Sequence, residues 1–150
     1  MIVGRTYLIN KINKIGEDID VEELIASIYS DSEVINGLYF TDWLFDEIKR
    51  MTGVNKEKMT LRNREQNVVQ ARWMFFWIMD KWTPLSSSNI GRYVCRDHST
   101  VLYAKRIINQ SVMSEKPFGY EGLKRRLMLI DDKCNRFLTI DKFTRRVELK

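Results

Sequence analysis

The run Arg96-Asp97-His98-Ser99-Thr100 gathers side chains suited to the edges of bases. A helix end entering a major groove needs short polar or methyl-bearing residues at its start. Asp97 can accept a hydrogen bond from a cytosine amino group. His98 offers a ring edge to a thymine methyl or a polar contact to a base. Ser99 and Thr100 can hydrogen-bond to a base or a phosphate, and the Thr100 methyl can meet a thymine. Each residue also has a plainer use. Asp97 fits the N-cap of a helix, a role that can coexist with base contact. His98, the sole histidine, fits an ordinary helix-start position.

A second group is cationic. Arg62, Arg96, Lys105 and Arg106 can each contact a phosphate, and each fits a solvated surface equally well. Ser88 lies near the start of a short helix, where backbone N–H groups can bind a phosphate. Cys95, Asp97 and His98 are metal-ligating types, but such sites take three or four ligands at suitable spacing, and Cys134 lies far off in sequence. No metal and no cofactor are expected. No serine or cysteine stands in a nucleophile setting beside the lone histidine. No catalytic residue is therefore assigned, and an enzyme is not expected.

The elements that must position these residues are legible from periodicity. The first forty residues read as short acidic helices, with Asp20 as an N-cap and Glu22 and Glu23 in the first turn. A helix from Thr41 stops at Gly53, with Trp43, Leu44, Glu47, Ile48 and Met51 along one side. Val54 to Met59 make a single turn, and residues 60–66 a polar, basic loop. From Asn67 to Lys81 runs the most apolar helix, which must be buried nearly all round and is taken as the core. Thr83-Pro84 ends it. Ser86 caps a short helix to Val94, and a tight turn at Cys95–Asp97 leads to a helix from His98 to Gln110. Two helices joined so closely outline a helix-turn-helix. A last helix starts at Tyr120 with Leu123, Leu127, Ile130 and Cys134 on one face. Beyond it, residues 137–149 alternate weakly and fit a strand, an added helix or a tail.

Composition bounds the class. The chain has 150 residues and a net charge of +5, enough for one domain with a hydrophobic core. Residues 1–42 carry three basic and eight acidic side chains, whereas 54–110 carry ten and four. A basic centre suits a polyanion. No apolar run approaches the roughly 20 residues that span a bilayer, so no membrane partner is expected. Two cysteines make no disulfide framework, and a cytoplasmic, nucleoid-associated protein is expected.

Residues 41–110 resemble the C-terminal DNA-binding domain of the bacterial replication initiator DnaA. The family's Gly-Arg-Asp-His-Thr-Thr-Val is matched by Cys95-Arg96-Asp97-His98-Ser99-Thr100-Val101. Its Ser-Leu-Pro-Glu-Ile-Gly is matched by Ser86-Ser87-Ser88-Asn89-Ile90-Gly91, and its Ala-Arg by Ala71-Arg72, at an ungapped distance. The family's Phe-Gly-Gly before Arg-Asp-His is shortened here to Val94-Cys95. The resemblance implies direct base reading by Asp97, His98 and Ser99, and a minor-groove arginine at Arg64, where a narrow A·T groove has enhanced negative potential. No Gly-x-x-x-x-Gly-Lys-Ser/Thr occurs, so the family's ATPase is expected to be missing.

The expected fold is all-α. A DnaA-like, Trp-repressor-like helix-turn-helix core occupies 41–112, after an acidic helical extension (1–40) and before a basic one (113–150). The expected partner is double-stranded DNA at a DnaA-box-like site, in replication initiation or its regulation. A protein partner is expected through the acidic N-terminal segment. The alternatives are a transcriptional regulator, or an interaction module that keeps the helix-turn-helix as a scaffold.

Overall fold

The computed structural model describes residues 3–16, 18–36 and 39–144, with side chains described outside 30–39 and 137–144. Eight α-helices and no strand occur among the described residues. They are α1 (Arg5–Ile15), α2 (Val21–Asn36), α3 (Tyr39–Thr52), α4 (Lys56–Thr60), α5 (Gln66–Trp82), α6 (Ser87–Arg92), α7 (His98–Ile107) and α8 (Glu121–Thr144).

The apolar run of the chain becomes α5, and the rest packs round it. Val68, Ala71, Met74, Phe75, Phe76, Ile78 and Met79 are buried along it. Burying such side chains contributes about 1.5–3 kcal/mol each, which outweighs the weak helix propensity of its aromatic residues. Phe45 of α3 stacks on Phe75 with centroids 4.4 Å apart. Leu44 and Ile48 are buried with it, while Trp43 and Met51 pack from the edge. Helix α3 begins at Tyr39, two residues before the expected start, and ends where Gly53 adopts φ +75°. There the Gly53 N–H donates to the Lys49 carbonyl at 2.7 Å.

Both extensions lie on this core. The Gly4 N–H donates to the Pro84 carbonyl at 3.0 Å, and Tyr7 of α1 is buried. The Lys14 ammonium sits 4.2 Å from the Trp82 ring centroid. On α8, Leu123, Leu127, Ile130 and Cys134 join the same apolar cluster as α5 and α7. Asp131 accepts from both Lys81 Nζ and Trp82 Nε1, and Lys133 bridges to Glu47 of α3. Helix α8 continues to Thr144, so the backbone through the weakly alternating residues is helix; residues 145–150 lie outside the described ones.

The helix expected from His98 to Gln110 is α-helical only to Ile107. Residues Ile108–Val112 form a π-helical turn, closed by the Met113 N–H donating to the Ile108 carbonyl. The widened turn lies where Trp77 Nε1 donates to Asn109 Oδ1, over 3.1 Å.

Candidate nucleic-acid interface

The turn between α6 and α7 is built from backbone contacts that exclude side chains. Ser86 caps α6 by accepting from the Asn89 N–H at 3.3 Å. The Gly91 carbonyl then accepts from the N–H groups of both Val94 and Arg96. A Cβ on Gly91 would overlap the Arg96 carbonyl oxygen, so only glycine lets the chain fold back this tightly. The reversal is completed by Cys95 at φ +57°, the one non-glycine with positive φ among the described residues. That conformation usually belongs to glycine, and costs an L-residue roughly 1–2 kcal/mol. The shortened Val94-Cys95 turn thus keeps a left-handed residue without the glycine.

Helix α7 opens on Asp97. Its Oδ1 accepts from the Thr100 N–H (3.1 Å), the Ser99 hydroxyl (2.6 Å) and the Thr100 hydroxyl (3.3 Å). The Ser99 hydroxyl, then the Thr100 N–H, hold the carboxyl below the ordinary aspartate range. The cap and the candidate base contacts are therefore one network. Both hydroxyls spend their protons on Asp97, which leaves their lone pairs as acceptors. Asp97, His98 and Ser99 are exposed, and Thr100 is half-buried. An acceptor-rich helix end suits the exocyclic amino groups of cytosine and adenine.

The basic loop is fixed to this turn by two arginines. Arg72, buried on α5, donates from Nε to the Met59 carbonyl (2.8 Å) and from Nη2 to the Leu61 carbonyl (2.6 Å). Arg96 donates from Nη2 to the same Leu61 carbonyl (2.6 Å) and from Nη1 to Thr60, Val94 and Cys95 carbonyls. The loop that follows exposes Arg62 and Arg64. Asn63 Oδ1 accepts from the Glu65 N–H at 2.8 Å, turning the chain into α5.

The structure therefore separates the candidate cations. Arg62 and Arg64 are exposed on a loop pinned beside the recognition turn. The half-buried Arg96 directs its guanidinium at the carbonyls of Thr60, Leu61, Val94 and Cys95. Lys105, expected on an exposed surface, is half-buried and pairs at 3.0 Å with Asp80, itself buried on α5. Arg106 is exposed and lies over the Tyr103 ring. Ser88 is exposed in the first turn of α6. Sequence reasoning gave Arg72 and Asp80 no role. Charged residues within the most apolar helix of the chain were the available signal, because buried charges require partners. No group of three or more His, Cys, Asp or Glu side chains able to hold a metal occurs among the described residues. Nor is any helix there long and apolar enough to cross a membrane.

Comparison with known proteins agrees with this geometry. The family model for the bacterial dnaA protein helix-turn-helix matches residues 42–108. The chromosomal replication initiator protein DnaA of Flavobacterium psychrophilum is 35% identical over 63 residues. That match covers 41% of this chain and 13% of the relative, so the chain corresponds to a small part of that protein. No solved structure matches. With turn, cap and basic loop in their places, residues 42–108 form a DnaA-like helix-turn-helix.

Proposed function

We propose that this chain binds double-stranded DNA sequence-specifically through α7, in replication initiation or its regulation. It acts by binding and not by catalysis. The observation that supports this most is the exposed Asp97-His98-Ser99 end of α7, held against a loop that exposes Arg62 and Arg64. In this reading α7 enters the major groove, Asp97, His98, Ser99 and Thr100 meet base edges, and Arg64 enters the adjacent minor groove. Arg62 and the α6 start at Ser88 meet phosphates. Residues 17–36, which hold seven acidic and no basic side chains, serve a protein partner and not the DNA.

The test is a duplex titration. A site recovered by selection from random duplex DNA is compared with a scrambled duplex. Arg62→Ala should weaken both about equally, since phosphate carries no sequence information. His98→Ala should erode mainly the preference, by about 1–3 kcal/mol. Arg64→Ala should cost more on A·T-rich flanks than on G·C-rich ones, where the guanine amine obstructs the groove floor. Failure to select any sequence, or affinity that ignores salt between about 50 and 200 mM, would overturn the reading.

A further inference from the structure

Helix α2 carries an apolar face that no side chain among the described residues covers. Asp20 caps the helix by accepting from the Glu22 N–H (2.9 Å) and the Glu23 N–H (3.4 Å). Leu24 is half-buried and Ile28 buried, four residues apart, and α2 packs against α3. A second row with the same spacing, Val21, Ile25 and Tyr29, is 63%, 48% and 55% exposed. At 3.6 residues per turn this row lies beside the packed one, not on it. Glu22 and Glu23 flank it and are exposed. Such a row with acidic flanks is the face by which an amphipathic helix docks.

Charge selects the occupant. Like charges oppose pairing of this face with α2 of another copy. A complementary face exists on α8. Met128 and Leu129 are 55% and 54% exposed, turned away from the buried Leu127 and Ile130. Exposed Arg125 lies one turn before them, exposed Arg136 two turns after them is paired with Asp132 at 3.3 Å, and residues 121–136 hold five basic and three acidic side chains. Lys133 and Asp131 are already engaged within the chain, with Glu47 and Lys81.

We infer that α2 of one copy packs on α8 of a second copy. Val21, Ile25 and Tyr29 cover Met128 and Leu129, and Glu22 and Glu23 face Arg125. The inference rests on the proposed role of the acidic segment, and names its partner. It does not rest on DNA contacts. Because the two faces are different, the contact is heterologous, and each added copy leaves one α2 and one α8 face for the next. Copies bound at neighbouring duplex sites would thereby raise one another's effective concentration.

Sedimentation of the full chain without DNA tests this, from about 10 µM to about 1 mM, the range of weak interfaces. The average mass should rise with concentration, and rise less in high salt. Ile25→Glu and Leu129→Glu should each remain monomeric, with melting temperatures near that of the unsubstituted chain. Mixed in equal amounts they should form a dimer and nothing larger, because one retains α8 and the other retains α2. A monomeric unsubstituted chain throughout, or a mixture no heavier than its parts, would overturn the pairing. So would self-association of Leu129→Glu alone, which means α2 on α2, or of Ile25→Glu alone, which means α8 on α8. Duplex affinity of both variants at low protein concentration should match the unsubstituted chain. That measurement separates a failure of self-pairing from a failure of DNA binding, and a loss in Ile25→Glu with intact folding would assign the acidic segment to the DNA contact instead.

Discussion

Arg72 and Arg96 donate to one acceptor, the carbonyl oxygen of Leu61, each over 2.6 Å. Two guanidinium groups repel, and burial followed by the Arg96 charge lowers the pKa of Arg72. The pair persists because Met59, Thr60 and Leu61 end α4, where carbonyls lack helical partners and the helix dipole is negative. The arginines satisfy those carbonyls. In doing so they hold the loop of Arg62 and Arg64 against the turn that opens α7.

A positioning role makes a specific prediction. Arg72→Lys keeps the charge but loses the planar fork, and should cost about 1.5–3 kcal/mol of stability, as for hydrogen bonds from charged groups. Arg96→Ala should lower the melting temperature and weaken duplex binding together. Arg62→Ala should weaken binding while leaving the melt within about 0.5 kcal/mol of the parent. Thermal melts alongside duplex titrations check this. An Arg96→Ala protein with an unchanged melt and reduced affinity would return Arg96 to direct phosphate contact.

The tight turn gives a second expected outcome. Gly91→Ala forces a methyl against the Arg96 carbonyl, and should cost about 1–3 kcal/mol, as overpacking does. Duplex affinity should fall with it, since α6 and α7 must separate. Cys95→Gly removes the penalty of the left-handed conformation and should leave the melt level or raise it. Cys95→Val, β-branched at positive φ, should lower it by about 1–3 kcal/mol. Chemical denaturation of the three variants reads these differences.

Acid should release the α7 cap. The Asp97 carboxyl is held below its ordinary range by the Ser99 hydroxyl and the Thr100 N–H. A depressed folded pKa means a contribution fully present at neutral pH and lost as pH falls through the folded value. Stability should therefore decline more steeply below the ordinary aspartate range in the parent than in Asp97→Asn, which still caps but does not titrate there. Melting curves from neutral to strongly acidic pH compare the two. Parallel profiles would remove Asp97 from the pH response.

The two thiols should differ in reactivity. Cys134 is buried in the core, and burial pushes its pKa well up. Cys95 is exposed. A thiol reacts as the thiolate and only where it is reached. Alkylation of the native protein near neutral pH should add one label, at Cys95, and a second only on unfolding. Mass spectrometry of intact and digested protein checks the site. Equal labelling at Cys134 would contradict the packing of α8.

The core helix and the caps at Asp20, Ser86 and Asp97 were legible in the sequence because they rest on local physics. Apolar spacing alone makes 67–81 a buried helix. Ser86 and Asp97 cap helices that begin within three residues of them. Arg-Asp-His carries its resemblance in adjacent residues. Tertiary structure decided what those signals cannot reach. Arg96 and Lys105 look the same as Arg62 and Arg64 in a charge profile, yet they are drawn inward by partners 35 and 25 residues away, Leu61 and Asp80. Arg72 gains its role only once α4 ends against α5. Cys95 accepts a left-handed backbone because Gly91 and Arg96 close the turn around it, not because cysteine favours one. A long, flexible charged side chain takes whatever acceptor the fold brings near. Sequence therefore states its charge, and only packing states its use.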